Sequence, residues 1–339
     1  MIVTVQNRQQ VAEVQRELTA RGLWIASVED APGGESHLVI APFSAVVDPD
    51  ELRRIPGVSA VALPKSAWPL VRAMGPSLNV AGVVLSSRQP LVFAGPCSVE
   101  SQDHIDSVAA RLAGMGVAFL RGGAFKPRTS PYSFQGHGAR ALDWLRQAAD
   151  RHGLRVVTEV MSEADAEAVA EHADVMQIGS RNMQNFALLR AVGKTGRPVL
   201  LKRGMAARID EWLLAGEYLL SAGCQGVVFC ERGVRGFDDS TRNLLDLGAV
   251  ALLSHGERLP VVVDPSHATG RRDLIAPLVR AAVGAGAAAV MVEVHDAPGQ
   301  ALSDGAQALS TAELESLMQE LRLGREPLPS VDPEATAHA

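Results

Sequence analysis

Only three cysteines occur in the chain, Cys97, Cys224 and Cys230. So few thiols, and an odd number of them, build no paired disulfide framework. Free thiols suit a reducing, cytoplasmic compartment. No stretch reaches the roughly 18 unbroken apolar residues that a membrane-spanning helix needs, so no membrane partner is expected. The opening residues, Met1 to Gln10, lack a basic region followed by an apolar one, so no secretion signal is expected. Positive charge is not in excess: the net formal charge is −6, which removes bulk attraction to nucleic acid or an anionic surface. Any cations that matter must therefore be clustered locally. Two glycine signatures are missing as well. Gly95-Pro96-Cys97 stands where a dinucleotide fingerprint would follow the first strand of the main domain, and no P-loop occurs.

What is present is a globular composition, 47% hydrophobic and 21% charged, over 339 residues. That length suggests one large domain and a small one. Residues 1–64 read as strand, helix, strand, strand, helix, strand. Met1–Val5 alternates, Gln9–Arg21 places Val11, Val14 and Leu18 at helical spacing, and the turn signal Asp30-Ala31-Pro32-Gly33-Gly34 separates Leu23–Val28 from His37–Ile40. Asp48 with Pro49 starts a short helix, and Val58–Leu63 closes the module. This βαββαβ order is that of a ferredoxin-like domain. Residues 65–88 read as a linker with a helical turn and an extra strand over Val80–Leu85.

From residue 89 to 323, strands and amphipathic helices alternate. The strand candidates are Leu91–Gly95, Ala118–Gly122, Arg155–Val160, Val175–Gly179, Val199–Arg203, Gly226–Arg232, Val261–His267 and Ala288–His295. Alternation of this kind predicts a parallel sheet. Eight units in about 240 residues match a (β/α)8 TIM barrel, with an open doubly wound sheet as the alternative. The polar, proline-bearing tail at 324–339 is expected to be disordered.

A barrel of this class works at the C-terminal ends of its strands, and all eight ends carry a polar or reactive group. One set is metal-like: Cys97, His267, Glu293 and Asp304 follow strands one, seven and eight, which become neighbours on closure. A thiolate, an imidazole and two carboxylates suit a divalent transition metal. Cys224 and Cys230 read as structural. The other set is cationic: Arg121, Lys126, Arg128, Arg181, Lys202 and Arg232. Six cations at one mouth repel strongly unless an anionic ligand compensates them, and two phosphates with a carboxylate would do so. The loop from Leu120 to Ser130 is built for that purpose. Gly122 and Gly123 permit close backbone approach, Pro127 fixes a turn, Arg128 offers a planar fork, and Thr129 and Ser130 add short donors.

The segments Phe93-Ala94-Gly95-Pro96-Cys97-Ser98-Val99-Glu100, Lys126-Pro127-Arg128-Thr129-Ser130, Gln177-Ile178-Gly179-Ser180-Arg181-Asn182-Met183 and Asp264-Pro265-Ser266-His267 resemble those of 3-deoxy-D-arabino-heptulosonate 7-phosphate (DAHP) synthase. The resemblance runs from about residue 80 to 322, and the leading module is similar to the amino-terminal regulatory domain of the I-beta subgroup. A sister family, 3-deoxy-D-manno-octulosonate 8-phosphate synthase, carries Ala-Asn-Arg-Ser after the loop lysine, where this chain has Pro127-Arg128-Thr129-Ser130.

The resemblance implies condensation of phosphoenolpyruvate with erythrose 4-phosphate, the entry to aromatic amino acids by the shikimate pathway. It implies a divalent metal (Mn, Fe, Co or Zn) on Cys97, His267, Glu293 and Asp304. Arg121, Lys126, Arg181, Lys202 and Arg232 would bind phosphoenolpyruvate, and Arg128, Thr129 and Ser130 the aldose phosphate. Lys126 is the candidate general acid, and Glu159 is placed to orient water. The other readings are the octulosonate reaction with arabinose 5-phosphate and a non-catalytic sugar-phosphate sensor. The resemblance further implies tyrosine or phenylalanine as an effector and a homo-oligomer, tetramer or dimer.

Overall fold

The computed structural model describes residues 1–126, 132, 134–321 and 323. It divides into two compact units, Met1–Ala67 and the chain from Trp68 onward.

In the first unit, β1 (Ile2–Val5), α1 (Val11–Ala20), β2 (Ile25–Asp30), β3 (Ser36–Ile40), α2 (Pro49–Arg53) and β4 (Val58–Ala62) follow the expected βαββαβ order. The sheet runs β2-β3-β1-β4 with every pairing antiparallel. Val14 and Leu18 of α1 and Leu52 of α2 bury against Val3, Val5 and Leu38. Asp48 caps α2 by accepting from Asp50 N at 2.9 Å, as its place before Pro49 requires.

The second unit opens with α3 (Pro69–Ala73) and a hairpin, β5 (Ser77–Val80) and β6 (Val83–Ser86). The single strand expected over Val80–Leu85 is broken because Ala81 and Gly82 both take positive φ, 51° and 84°. That pair forms the tight turn that matches strand twist, and Asn79 Oδ1 accepts from Gly82 N at 3.0 Å. Val80, Val83 and Leu85 of the hairpin join one buried cluster with Phe93, Phe119, Val157, Leu200, Val228 and Val262 of the barrel strands. The apolar run at 80–85 therefore plugs the barrel.

The barrel itself is closed. Its strands are β7 (Leu91–Gly95), β8 (Phe119–Arg121), β9 (Arg155–Val160), β10 (Val175–Ile178), β11 (Val199–Lys202), β12 (Val227–Glu231), β13 (Val261–Val263) and β14 (Ala289–Glu293). Each pairs in parallel with its sequence neighbour, and β14 pairs with β7. Burial on both faces explains runs such as Val261-Val262-Val263 and Val199-Leu200-Leu201. The outer helices are α4 (Gln102–Gly114), α5 (Ala139–His152), α6 (Ala166–His172), α7 (Phe186–Lys194), α8 (Ile209–Ser221), α9 (Leu247–Ala251), α10 (Pro265–Thr269), α11 (Ile275–Gly284) and α12 (Thr311–Leu321).

Strand seven is shorter than expected. It stops at Val263, because Asp264 accepts from His267 N at 3.0 Å and Pro265 takes the first helical position, so Asp264–His267 starts a helix instead. Phe93 and Phe119 stack in the interior with centroids 4.2 Å apart. Phe119→Ala should therefore cost about 3–5 kcal/mol of stability, read as a lowered denaturant midpoint at constant slope. Among the described residues no helix is long and apolar enough to cross a membrane.

Candidate active site

The strand ends deliver their polar groups to one cavity of about 420 Å³ at the barrel mouth. Arg121, Lys126, Arg181, Lys202 and Arg232 all line it, as do Glu159, His267 and Asp304. Arg128, Thr129 and Ser130 lie outside the described residues, as does the tail at 324–339.

Backbone geometry at β7 sets the first wall. Gly95 has φ +147°, and a methyl there would meet the Arg121 carbonyl oxygen at 2.0 Å. Only glycine lets β7 and β8 end so close together. The turn that follows presents Cys97, buried. Its Sγ accepts from Lys126 Nζ at 2.9 Å and donates to Asp304 Oδ2 at 3.0 Å. Burial, and then the Glu293 charge, push the thiol up to about 12 against Lys126 and Arg121. Cys97 is thus a thiol at neutral pH in the metal-free chain.

His267 stands on the first turn of α10. Its Nδ1 lies 2.7 Å from Asp264 Oδ2, and its Nε2 lies 3.2 Å from Glu293 Oε1. Burial holds the imidazole below its ordinary value despite the two carboxylates, so it is neutral. Burial also opposes ionisation of Asp264, but His267 and the Lys202 ammonium, 2.6 Å away, hold that carboxyl well below the usual range. The ionised Asp264 takes the Nδ1 proton. The Nε2 lone pair then faces Glu293, whose carboxyl the Arg121 and Lys126 charges hold below its ordinary value against burial.

Ligand atoms of Cys97, Glu293 and Asp304 fall within 4.8 Å of one another, and the His267–Glu293 contact brings the fourth expected residue to the same place. An imidazole lone pair pointing at a carboxylate calls for a cation between them, and the Cys97 sulfur stands beside that place, 3.0 Å from Asp304 Oδ2. The set fits a divalent transition metal, and Asp264 Oδ2, 2.7 Å from His267 Nδ1, is the kind of outer contact that would orient that histidine as a ligand.

The cations divide by how well they are already paired. Arg121 Nη1 donates to Pro96 O at 2.7 Å and to Glu293 Oε1 at 3.2 Å, while its buried Nε has no partner among the described residues. Lys202 is paired with Asp264. Among the described residues, Arg181 makes no ion pair, and Arg232 donates only to the carbonyls of Gly233 and His267. Burial pulls the Arg232 guanidinium below its ordinary value. This is a site short of negative charge. Arg203, next to Lys202, is not part of it: Glu231 at 3.0 Å and Asp246 at 2.8 Å occupy its guanidinium. Glu159 reaches the cavity because Gly179 has no side chain, and it accepts from Gln177 Nε2 at 3.2 Å.

Sequence reasoning left out Asp264, Arg235, Arg242 and Asn243. Arg235, Arg242 and Asn243 line the cavity, and Arg242 lies 3.6 Å from Asp304 Oδ1. They sit in the irregular segment after β12, where no periodic pattern distinguishes a cavity-facing cation from a solvated one. Asp264 had a readable signal in its position before Pro265.

The comparisons agree with this geometry. The DAHP synthetase I family matches residues 81–324. The phospho-2-dehydro-3-deoxyheptonate aldolase of Thermotoga maritima is 51% identical over 245 residues, 72% of each chain. A 2-dehydro-3-deoxyphosphooctonate aldolase of Methylobacterium radiotolerans is 30% identical over 271 residues, covering 74% of this chain and 95% of its own. The crystal structure of the Thermotoga maritima DAHP synthase superposes with TM-score 0.73 at 40% identity, over 95% of this chain and 96% of that one. A truncated form of the Thermotoga maritima enzyme superposes with TM-score 0.70 at 43% identity, over 76% and 96%. A family match that spans the closed barrel and every described strand end makes the conclusion plain: the chain belongs to the DAHP synthetase I family.

Proposed function

We propose that this chain condenses phosphoenolpyruvate with erythrose 4-phosphate and water to give DAHP and inorganic phosphate. The observation that carries this reading is one cavity with two chemistries: cations in excess of carboxylates, including Arg181 and Arg232, which make no ion pair among the described residues, beside the acceptor set of Cys97, His267, Glu293 and Asp304. The higher identity to the heptonate enzyme, 51% against 30% for the octulosonate relative, favours erythrose 4-phosphate over arabinose 5-phosphate. It also disfavours a non-catalytic sugar-phosphate sensor.

Arg121, Lys126, Arg181, Lys202 and Arg232 bind the phosphate and carboxylate of phosphoenolpyruvate. Arg128, Thr129 and Ser130 take the aldose phosphate. C3 of the enol phosphate attacks the aldehyde carbon, positive character develops at C2, water adds there and phosphate leaves. Lys126 protonates the nascent alkoxide, and Glu159, held by Gln177, orients the water. Cys97, His267, Glu293 and Asp304 would hold a divalent metal (Mn, Fe, Co or Zn), which when bound would supply Lewis acidity toward the aldehyde oxygen. Purified protein with Mn²⁺ should consume phosphoenolpyruvate only when erythrose 4-phosphate is present. Consumption with arabinose 5-phosphate in its place would assign the sister reaction, and consumption with neither would leave a sensor.

Residues 1–64 regulate the barrel and take no part in catalysis. On this module a cavity of about 370 Å³ is lined by Val11, Val28 and the pair Arg8–Asp30, 3.4 Å apart. That pairing suits the carboxylate and ammonium of a free amino acid, in line with tyrosine or phenylalanine as effector. Deleting residues 1–64 should leave an active enzyme that neither amino acid inhibits, checked by initial rates with each. An inactive but folded truncate, or one still inhibited, would remove the module's regulatory role. The buried free thiols Cys97, Cys224 and Cys230 suit a cytoplasmic setting, and a homo-oligomer, dimer or tetramer, is part of the same reading.

A further inference from the structure

Two of the proposed metal ligands come from loops rather than strands. Cys97 follows β7, and Asp304 lies well beyond the end of β14. A cation shared by both needs those loops at a set spacing. Asp304 has φ +51° in the left-handed region, which aspartate tolerates at modest cost, so its own backbone preference does not hold it there.

Three ties come from the Cys97 loop, in addition to the Arg242 contact with Asp304. Glu100 Oε1 accepts from Leu302 N at 2.8 Å, and Glu100 Oε2 faces His295 Nε2 at 3.4 Å. Ser98 Oγ hydrogen-bonds Ser303 Oγ. His295 Nδ1 accepts from Ala297 N at 3.0 Å, which leaves the ring proton on Nε2, directed at Glu100. Both Glu100 oxygens thus receive a proton from the loop that carries Asp304, and the carboxylate side chain is only 14% exposed.

Glu100, His104 and His295 also have metal-like atoms within 4.8 Å of one another. With the His295 proton on Nε2 the needed lone pair is absent, and His104 stacks on that ring with centroids 4.2 Å apart, its own nitrogens unpartnered. The group is a clamp and not a second ion site.

We propose that Glu100 is a positioning residue that sets the distance between Cys97 and Asp304 and thereby the affinity of that cluster for a divalent cation. The inference rests on the metal reading above. Glu100→Gln keeps the shape but turns an amide NH₂ toward one of two donors, so one tie is lost. In the chelator-stripped full chain, the Mn²⁺ dissociation constant should rise about 10- to 100-fold, the range for outer contacts of metal ligands. The KM for phosphoenolpyruvate at saturating Mn²⁺ should stay unchanged, and the melting temperature of the metal-free protein should fall by no more than the few degrees that one lost hydrogen bond costs. Ser303→Ala cuts a further tie between the same loops and should shift Mn²⁺ affinity in the same direction, which keeps the test decisive if Glu100→Gln does not fold. With Co²⁺, both variants should show a weaker thiolate-to-metal absorption band than the wild type.

Wild-type Mn²⁺ affinity in both variants would overturn the inference while leaving the metal site intact, provided Cys97→Ala still weakens binding. A fall in metal-free melting temperature beyond those few degrees, in parallel with the loss of affinity, would overturn it too, by assigning Glu100 to general folding. Equal Mn²⁺ binding by the wild type and Cys97→Ala would remove the metal reading itself, and the inference with it.

Discussion

Cys97→Ala is expected to weaken divalent-metal binding by more than about a hundredfold, beyond the range seen for outer contacts, and to abolish most turnover. The loss has a pH signature. The metal-free thiol is pushed up to about 12, so it is protonated throughout the range of about pH 6.5 to 8.5 and must give up that proton to bind a metal. His267 is held low by burial and Asp304 is held ionised, so neither adds a proton to the count. Wild-type affinity should therefore climb about tenfold per pH unit across that window, and the Cys97→Ala slope should be near zero. Calorimetric titration in buffers of different ionisation enthalpy counts the proton directly. Chelation should inactivate the wild type, and added Mn²⁺ should restore it. Full activity in metal-free buffer, or a variant slope equal to the wild type's, would sink the assignment of Cys97 as a ligand.

Much of this site was legible because parallel barrel strands are apolar on both faces. The first polar residue after each run then marks the mouth: Lys202 after Val199-Leu200-Leu201, Glu293 after Ala289-Val290-Met291-Val292. The same rule misled at two places. The run from Val80 to Leu85 conceals a hairpin, whose readable signals were Gly82 inside the run and Asn79 before it, while the positive φ at Ala81 leaves no trace. The apolar run ending in Val263 reads as a strand extending to His267, although Asp264 before Pro265 is a helix-capping signal. Other features had no local signal at all. Arg242 sits in a loop whose charge reads as solvated until its 3.6 Å approach to Asp304 is known. The Glu100–Leu302 contact joins a side chain to a backbone N–H two hundred residues away. Side-chain periodicity reports burial, and it is blind to where an irregular loop brings a donor.

Lys202→Ala should be the most damaging change among the cations, and for two separable reasons. Lys202 and Asp264 are both buried and 2.6 Å apart, so removing the ammonium strands the carboxylate at a cost of about 3–5 kcal/mol. Phosphoenolpyruvate also loses a charge-assisted contact of roughly 1.5–3 kcal/mol. The stability part carries a sign. Because the Asp264 carboxyl is held well below its ordinary value, its contribution is fully present above about pH 4 and is lost as pH falls through the folded value. In Lys202→Ala that folded value rises, so the gap in melting temperature from the wild type should be large at neutral pH and close on acidification. Stranded Asp264 should also draw a second proton onto His267, removing the Nε2 lone pair and adding a loss of metal affinity at low pH. Arg181→Ala is the control, since Arg181 has no ion pair among the described residues. Its KM for phosphoenolpyruvate should rise about 10- to 100-fold with melting temperature unchanged. Arg128→Ala should instead raise the KM for erythrose 4-phosphate. Steady-state kinetics with each substrate varied in turn decides the matter: if Arg181→Ala and Arg128→Ala raise both constants equally, the division of the cations between the two substrates is wrong.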